Sequence, residues 1–148
     1  MRVIVQRVKK ASCTVNDEIV SSINQGFLLL VGFTHSDTEN TCAYLAKKIA
    51  KLRIFEDDHE KLNIALKDKS LPVLSISQFT VYADTKKGNR PSFVNAMKPD
   101  QAKILYTRFN TLLRKQGITV KEGVFGEHMD IALINDGPVT IIMEREET

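Results

Sequence analysis

Hydrophobic and polar residues alternate along several short stretches of the chain, which is the pattern expected of β-strands with two different faces. Residues 2–8 alternate in this way and predict a first strand. Residues 13–15 and 18–23 flank the polar pair Asn16-Asp17, an arrangement typical of a hairpin. Residues 27–33 form an uninterrupted apolar run, which predicts a strand that is buried on both faces.

Two further segments carry apolar residues at the three- and four-residue spacing of an amphipathic helix. Ser36 and Glu39 match a capping box and predict the start of the first helix. Pro99 predicts the start of the second helix, because a proline at the first helical position sacrifices no hydrogen bond, and Gly117 predicts its end. The apolar stripes consist of Cys42, Leu45, Ile49 and Leu52 in the first helix and of Ala102, Leu105, Phe109 and Leu112 in the second.

The remaining apolar stretches predict further strands at residues 53–55, 71–82, 118–124, 129–134 and 139–144. The pattern therefore predicts a mixed α/β fold dominated by sheet, with about two long helices and seven or eight strands. No repeat, low-complexity segment or linker-like stretch divides the chain, so residues 1–148 are expected to form a single domain.

The composition is that of an ordinary globular protein, with 43% hydrophobic and 26% charged residues, and it excludes a disordered or fibrous chain. The longest apolar run is far shorter than the ~20 residues that a membrane-spanning helix needs. The alternating N-terminal residues contain no apolar block of a secretion signal. The cytoplasm is therefore the expected location.

Charge is unevenly distributed, although the net charge is only +3. Residues 84–121 carry nine basic and two acidic side chains, a balance of +7, whereas residues 122–148 carry one basic and seven acidic side chains, a balance of −6. The basic segment fits either a contact surface for nucleic-acid phosphates or a solvated helix face balanced by the acidic segment. Charge alone leaves both interpretations open.

The usual motifs of metal, nucleotide and hydrolase sites are absent from the sequence. Cys13 and Cys42 lack the CxxC spacing of a zinc site, and the three histidines share no ligand spacing. There is no glycine-rich nucleotide-binding motif and no GxSxG motif. A hydrolase that uses Cys13 or Cys42 would depend on tertiary contacts, and it stays open as one alternative.

Two polar clusters interrupt the predicted strands and are candidate sites. Ser77, Gln78 and Thr80 lie within an apolar stretch, where polar groups are costly to bury without partners. Because no His or Lys flanks Thr80 as a base, we expect this residue to position or hydrogen-bond a ligand rather than attack it. The second cluster, Asn-Asp-Gly-Pro-Val-Thr at residues 135–140, by itself predicts a tight turn with a trans Gly–Pro bond.

Taken together, these clusters resemble the hallmarks of the D-aminoacyl-tRNA deacylase family, Ser-Gln-Phe-Thr at residues 77–80 and Gly-Pro-Val-Thr at residues 137–140. Other blocks of the family occur in the same order, at residues 5–8, 52–57, 90–93 and 123–126. The resemblance extends from Met1 to about Met143. It implies a three-layer α/β/β domain and a homodimeric esterase, without metal or organic cofactor, that removes D-amino acids from the 3′ end of tRNA.

The resemblance also implies which residues form the site, at the interface of two subunits. The catalytic residues would be Phe79 and Thr80, whose main-chain N–H groups would stabilise the oxyanion. The substrate-binding residues would be Ser77, Gln78, Phe93, Arg7, Gly137 and Pro138. The ribose hydroxyl next to the ester would help to activate the attacking water, which would explain why no side-chain base flanks Thr80.

Selectivity would come from Gly137-Pro138 in the cis form, inserted from the other subunit and oriented by Arg7. Its carbonyl oxygens would form a wall that an L side chain strikes and a D side chain avoids. Glycine has no side chain to exclude, so glycyl-tRNA is also expected to be cleaved. Lys86, Lys87 and Arg90 are expected to contact the acceptor-stem phosphates. The alternative from another class is a dimeric RNA-binding module without catalytic activity.

Overall fold

The computed structural model describes residues 1–147, which contain eight strands, two α-helices and two short 3₁₀ helices. The strands are β1 (Arg2–Val15), β2 (Glu18–Ile23), β3 (Gly26–Gly32), β4 (Arg53–Glu56), β5 (Leu62–Ala65), β6 (Val73–Ser77), β7 (Val120–Glu122) and β8 (Asp130–Glu144). The α-helices are α1 (Glu39–Lys51) and α2 (Pro99–Lys115), and the 3₁₀ helices span Lys67–Lys69 and Phe79–Tyr82. The predicted mixed, sheet-dominated α/β class is confirmed.

One long strand, β1, organises the main sheet. The strand order is β2-β1-β3-β6-β7, and β8 pairs with β1 from Arg2 to Thr14. β1 is antiparallel to β2, β3 and β8, whereas β3, β6 and β7 run parallel to one another. β4 and β5 form a separate two-stranded sheet. β1 therefore holds three other strands in register, and disruption of its pairing would affect most of the sheet.

Both faces of the central strand β3 are buried, as its apolar run predicts. On one face, Phe27 packs in a cluster with Leu45 of α1 and Phe109 of α2. On the opposite face, Leu28 packs with Leu74 in a second cluster, because β2 lies across β6 and β7. The helices thus form one layer, and the second half of β1 with β2 covers the other face of the sheet.

The start of helix α1 differs from the prediction. Thr38, rather than Ser36, caps the helix, and its N–H donates a hydrogen bond to the Thr41 hydroxyl at 3.0 Å. The reason is Asp37, which is buried and accepts a 2.5 Å hydrogen bond from the Met1 ammonium group. The Asp37 N–H also donates a hydrogen bond to the Thr34 carbonyl oxygen at 3.2 Å, so residues 34–37 form a turn held by this ion pair, and the helix begins after it. The predicted start of α2 at Pro99 is confirmed, and Gly117 follows its end with a positive φ of 87°.

Two strand predictions are wrong in ways that matter for the site. The strand predicted over residues 71–82 ends at Ser77, and a 3₁₀ helix follows it. The strands predicted over residues 129–134 and 139–144 are one continuous strand, β8, without an intervening hairpin turn. The strand predicted over residues 118–124 is shorter, at Val120–Glu122, and β5 (Leu62–Ala65) is a strand that the sequence pattern did not predict.

Within residues 1–147, no helix combines the length and the apolar character needed to cross a membrane.

Candidate active site

A pocket of about 630 Å³ opens at the carboxyl ends of β3 and β6, where the Ser-Gln-Phe-Thr segment leaves the sheet. It is lined by four of the predicted site residues, Ser77, Gln78, Phe79 and Phe93. Its other walls come from the end of β3, the start of α2 and residues 125–129. The volume is in the range of pockets that bind small ligands.

An aromatic pair forms one wall of this pocket. The rings of Phe79 and Phe93 meet edge to face, with centroids 5.0 Å apart and an interplanar angle of 74°. Both side chains are exposed, at 55% for Phe79 and 38% for Phe93, although large aromatic side chains are ordinarily buried. An exposed aromatic pair of this kind offers flat apolar surface to a planar ligand.

The turn that exposes Phe79 depends on close packing beneath it. The Gln78 N–H donates to the Val31 carbonyl oxygen at 2.8 Å, which continues the pairing of β6 with β3 for one residue. A Cβ atom on Gly32 would lie 2.2 Å from Val81 Cγ2 and 3.0 Å from the Gln78 carbonyl oxygen. Only glycine therefore lets the 3₁₀ helix approach β3 so closely.

Arg2 holds the far end of the same 3₁₀ helix. Its guanidinium group donates a hydrogen bond to the Val81 carbonyl oxygen and lies 4.6 Å from the centroid of the Tyr82 ring. It also forms an ion pair with Glu144 at 2.9 Å. Sequence reasoning missed Arg2 and Gly32 as supports of the site, because neither belongs to a motif and their contacts come from distant parts of the chain.

Two successive backbone N–H groups, those of Phe79 and Thr80, stand at the start of the 3₁₀ helix. Among residues 1–147, the hydrogen bonds of this segment use the N–H groups of Gln78, Val81 and Ala83 but neither of these two. The Thr80 hydroxyl is exposed and accepts a hydrogen bond from Gln78 Nε2. This segment thus presents backbone donors rather than an activated side-chain nucleophile.

The loop after the 3₁₀ helix places Phe93 but keeps its basic residues away from the pocket. Backbone hydrogen bonds of 2.7 and 2.9 Å between Asp84 and Ser92 close this loop. Lys86, Lys87 and Arg90 are exposed on it and are not part of the pocket wall. They are available to a ligand larger than the pocket.

The Gly137-Pro138 dipeptide lies on a bulge of β8 rather than in the predicted turn. Gln6 pairs with Thr140 and Val8 pairs with Asn135, so residues 136–139 of β8 lie opposite the single residue Arg7. The Asn135 side-chain amide spans the bulge, donating hydrogen bonds of 2.9 Å to the carbonyl oxygens of Arg7 and Val139.

The peptide bond between Gly137 and Pro138 is cis, and both residues are exposed. The φ of Gly137 is 129°, a value that L side chains rarely adopt. This main-chain segment therefore projects from the sheet with its backbone accessible.

A buried arginine fixes this bulge from below. The side chain of Arg7 is 6% exposed. It donates a hydrogen bond to the Ile54 carbonyl oxygen at 2.7 Å and, through Nε, to the Asp136 carbonyl oxygen at 3.1 Å. Carboxylate oxygens of Glu56 and Asp136 lie 3.4 and 3.5 Å from the guanidinium group and balance its charge. Arg7 therefore connects the bulge to β4.

The predicted site residues thus fall into two groups within one chain. Ser77, Gln78, Phe79 and Phe93 line the pocket, with Thr80 beside them, whereas Arg7, Gly137 and Pro138 lie at the bulge and contribute nothing to the pocket wall. Sequence reasoning also missed Met97 and Phe125 as pocket residues. Phe125 belongs to the block at residues 123–126, which carried a signal, whereas Met97 carried none.

Neither cysteine is suited to act as a nucleophile. Cys13 and Cys42 are both buried and free, and neither lines the pocket. Burial raises the pKa of both thiols, and nearby Asp37 raises the pKa of Cys42 further, to about 12. A thiol with a raised pKa is protonated at neutral pH and is a poor nucleophile. The structure therefore gives the cysteine-hydrolase alternative no support.

Comparison with known proteins gives a consistent result. The model of the family described as D-Tyr-tRNA(Tyr) deacylase matches residues 4–144. The chain belongs to this family. A D-aminoacyl-tRNA deacylase of Exiguobacterium sp. is 56% identical over 145 residues, which cover 98% of this chain and 99% of that protein. A D-aminoacyl-tRNA deacylase of Thermus aquaticus is 53% identical over 147 residues, covering 99% and 97%.

Solved structures show the same fold. The structure titled c-Myc DNA Unwinding Element Binding Protein matches with a TM-score of 0.92 and 39% identity, over 99% of this chain and 100% of that one. A probable eukaryotic D-amino acid tRNA deacylase matches with a TM-score of 0.83 at 18% identity, over 96% and 97%. The predicted resemblance to the deacylase family is confirmed, and with it the prediction that the chain is an enzyme of the hydrolase class.

Proposed function

We propose that this deacylase-family chain hydrolyses the ester bond of D-aminoacyl-tRNA and releases the free D-amino acid and tRNA, a chiral proofreading step of translation. The observation that carries the proposal is the pair of unused backbone N–H groups of Phe79 and Thr80 at the edge of an aromatic pocket. Two neighbouring backbone N–H groups can stabilise the negative charge that develops on an ester carbonyl oxygen during attack by water.

The rest of the pocket supports an aminoacyl-nucleoside as the ligand. Phe79 and Phe93 offer exposed ring surface on which the base of the 3′-terminal nucleotide can stack. Ser77 and Gln78 supply polar groups beside the ester. The vicinal ribose hydroxyl of the substrate helps to orient and activate the attacking water, so the protein contributes positioning and charge stabilisation.

The chirality of the amino acid is read by the main chain of Gly137-Pro138 from a second subunit of a homodimer. Two observations support a second subunit. Gly137 and Pro138 project from the bulge without reaching the pocket of their own chain. Among residues 1–147, the 15-residue strand β8 pairs only with β1, so its outer edge has no strand partner. The side chains of Ile134 and Ile142 on this strand are exposed.

Exclusion by backbone explains how one site accepts many D-amino acids. An L side chain would point into the carbonyl oxygens of Gly137 and Pro138, whereas a D side chain would point away from them. Glycyl-tRNA is therefore a second substrate. Arg7 keeps the dipeptide in place through its hydrogen bond to Asp136. Lys86, Lys87 and Arg90 contact phosphates of the acceptor stem from the exposed loop.

The test is hydrolysis of matched D- and L-tyrosyl-tRNA by the purified protein in the presence of a chelator. We expect rapid loss of the D-ester while the L-ester persists. If both esters persist although the protein binds tRNA in a salt-sensitive manner, the chain is a non-catalytic RNA-binding module instead. Sedimentation of the protein, with and without substitution of Ile134 and Ile142 by Asp, tests the dimer: we expect the wild-type dimer to dissociate in the variant.

A further inference from the structure

A second positively charged surface lies on helix α1, remote in sequence from the basic loop. Four residues of α1 occupy positions i, i+3, i+4 and i+7 and therefore share one face of the helix: Tyr44, Lys47, Lys48 and Lys51. The opposite face carries the buried residues of α1, which means that this charged face points to solvent. Together with Arg53 of β4, these residues line a shallow depression, which we call the α1 patch.

The cations of the α1 patch are not neutralised by acidic neighbours. Among residues 1–147, Lys47, Lys48, Lys51 and Arg53 take part in no ion pair. A fifth cation, Arg145, lies 4.4 Å from the centroid of the Tyr44 ring and has a loose contact of 3.9 Å with Glu147. Lys48 Nζ lies 5.9 Å from the same ring centroid. The exposed Tyr44 ring thus lies in a group of five cations, four of which have no acidic partner in the described part of the chain, and such a group is characteristic of a nucleic-acid contact surface.

The position of the α1 patch relates it to the proposed reading of chirality. Arg53 immediately precedes Ile54, whose carbonyl oxygen accepts the 2.7 Å hydrogen bond from Arg7. The same guanidinium group holds Asp136, the residue before Gly137-Pro138. The patch is therefore connected, through Ile54 and Arg7, to the element that enters the pocket of the other subunit in the proposed dimer.

We propose that the α1 patch binds phosphates of the tRNA body while the aminoacyl end occupies the partner subunit's pocket. This proposal rests on the proposed deacylase function and adds a second contact to the one assigned to the basic loop. Helical RNA is recognised largely through its backbone, for which a row of lysines is suited. The patch would raise affinity for the whole tRNA without contacting the ester.

The test compares two variants with the same loss of charge. The first is Lys47→Gln/Lys48→Gln/Lys51→Gln, in the patch. The matched control is Lys9→Gln/Lys61→Gln/Lys67→Gln, which removes three exposed lysines outside both the α1 patch and the basic segment at residues 84–121. For D-tyrosyl-tRNA at low salt, we expect the patch variant to have a KM roughly tenfold higher with unchanged kcat, and the control to stay within about twofold of wild type.

Two further readouts separate phosphate binding from a general defect. The negative slope of log affinity against log salt concentration should become shallower by about 2 to 3 in the patch variant, because each phosphate contact contributes roughly 0.7 to 0.9 to its magnitude. A short substrate, D-tyrosyl-adenosine, should be cleaved by wild type and patch variant at equal rates, since it lacks the distant phosphates. A KM increase of equal size on the short substrate, or in the control variant, would overturn the proposal.

The outcomes also separate this proposal from the proposed function. If wild type hydrolyses D-tyrosyl-tRNA and the patch variant keeps the wild-type KM and salt slope, only the α1 patch proposal fails. If the wild-type protein hydrolyses neither D- nor L-tyrosyl-tRNA, the α1 patch proposal is tested by the binding of uncharged tRNA. A weaker salt dependence of that binding in the patch variant would still support the α1 patch. Loss of binding to anionic phosphatidylserine vesicles with unchanged tRNA binding would assign the patch to a lipid surface and overturn the proposal.

Discussion

The Nε atom of Arg7 lies 3.1 Å from the carbonyl oxygen of Asp136, the residue that precedes the exposed Gly137-Pro138 dipeptide. Through a second donor, the same guanidinium group bonds the carbonyl oxygen of Ile54 at 2.7 Å. One buried cation thus holds the bulge of β8 against β4. Arg7 does not reach the pocket of its own chain, so the role that we propose for it in catalysis is a positional one.

Substitution of Arg7 tests this positional role. Arg7→Lys keeps a charge but cannot reach both carbonyl oxygens, and Arg7→Met removes charge and donors together. We expect kcat/KM for D-tyrosyl-tRNA to fall about 100-fold in either variant, because small misplacements of a site commonly have that cost. The free energy of unfolding should fall by about 1–3 kcal/mol, since Ile54 loses its donor. A fully active, equally stable Arg7→Met protein would contradict the role assigned here.

Glycyl-tRNA should be cleaved at a rate close to that of D-alanyl-tRNA, while L-alanyl-tRNA should persist. The reason is that exclusion by backbone acts only on a side chain that points the wrong way, and glycine has none. The measurement is deacylation of the three esters under identical conditions. Equal resistance of glycyl- and L-alanyl-tRNA would show that the site recognises a D side chain directly, contrary to the proposed wall.

Thr80→Ala should keep much of the wild-type activity, within about tenfold, because its hydroxyl is exposed and has no base beside it. The backbone N–H of residue 80, which we assign to the oxyanion, survives the substitution. Phe79→Ala, which removes an exposed ring from the pocket wall, should instead raise KM. Single-turnover rates with D-tyrosyl-tRNA separate the two effects. A loss of several orders of magnitude in folded Thr80→Ala protein would make the hydroxyl a chemical participant.

Gly32→Ala should displace the 3₁₀ helix and reduce both stability and activity. The added methyl group would lie 2.2 Å from Val81 Cγ2, and overpacking of this kind costs roughly 1–3 kcal/mol. The double variant Gly32→Ala/Val81→Ala removes that contact and should recover part of the loss. Urea denaturation and kcat/KM of the single and double variants complete the cycle. If Gly32→Ala alone matches wild type, the close approach of the helix to β3 does not matter for function.

Thiol reagents should leave the native enzyme active. Burial raises the pKa of Cys13 and of Cys42, the latter to about 12, so at pH 8 both remain protonated as well as inaccessible. Alkylation of Cys42 in the native protein should become faster as the pH rises toward 12, because its reactive thiolate forms in that range. In urea, both thiols should react readily at pH 8. Rapid inactivation of folded enzyme by iodoacetamide at pH 8 would revive a cysteine-dependent mechanism.

The fold could be predicted largely from local patterns. The apolar run at residues 27–33 identified a strand buried on both faces, and Pro99 marked the start of α2 correctly. The capping box at Ser36 predicted the wrong start for α1, because residues 34–37 form a turn in which the distant Met1 ammonium group holds Asp37 by a buried ion pair. Patterns along the chain contain no information about such partners.

For the candidate site, the sequence predicted several of the residues that line the pocket, but it did not predict the course of the main chain there. Polar residues in an apolar strand singled out Ser77 and Gln78, and both line the pocket. The cluster at residues 135–140 predicted a turn. The sequence does not show that Asn135 and Thr140 both pair with β1, on either side of a bulge. The roles of Arg2 and Gly32 could not be predicted, because both residues support the site through contacts with Val81, which is distant from them in the sequence.

The pairing of β1 with β8 has a consequence for biosynthesis. Arg2 pairs with Glu144 and Gln6 with Thr140, so β1 finds this neighbour only after β8, which lies far downstream in the sequence, has been synthesised. The bulge that carries Gly137-Pro138 is formed by this same pairing. A nascent chain can pair β1 with β2 and β3 early, but the bulge that carries the proposed chirality filter forms only after β8 has been synthesised.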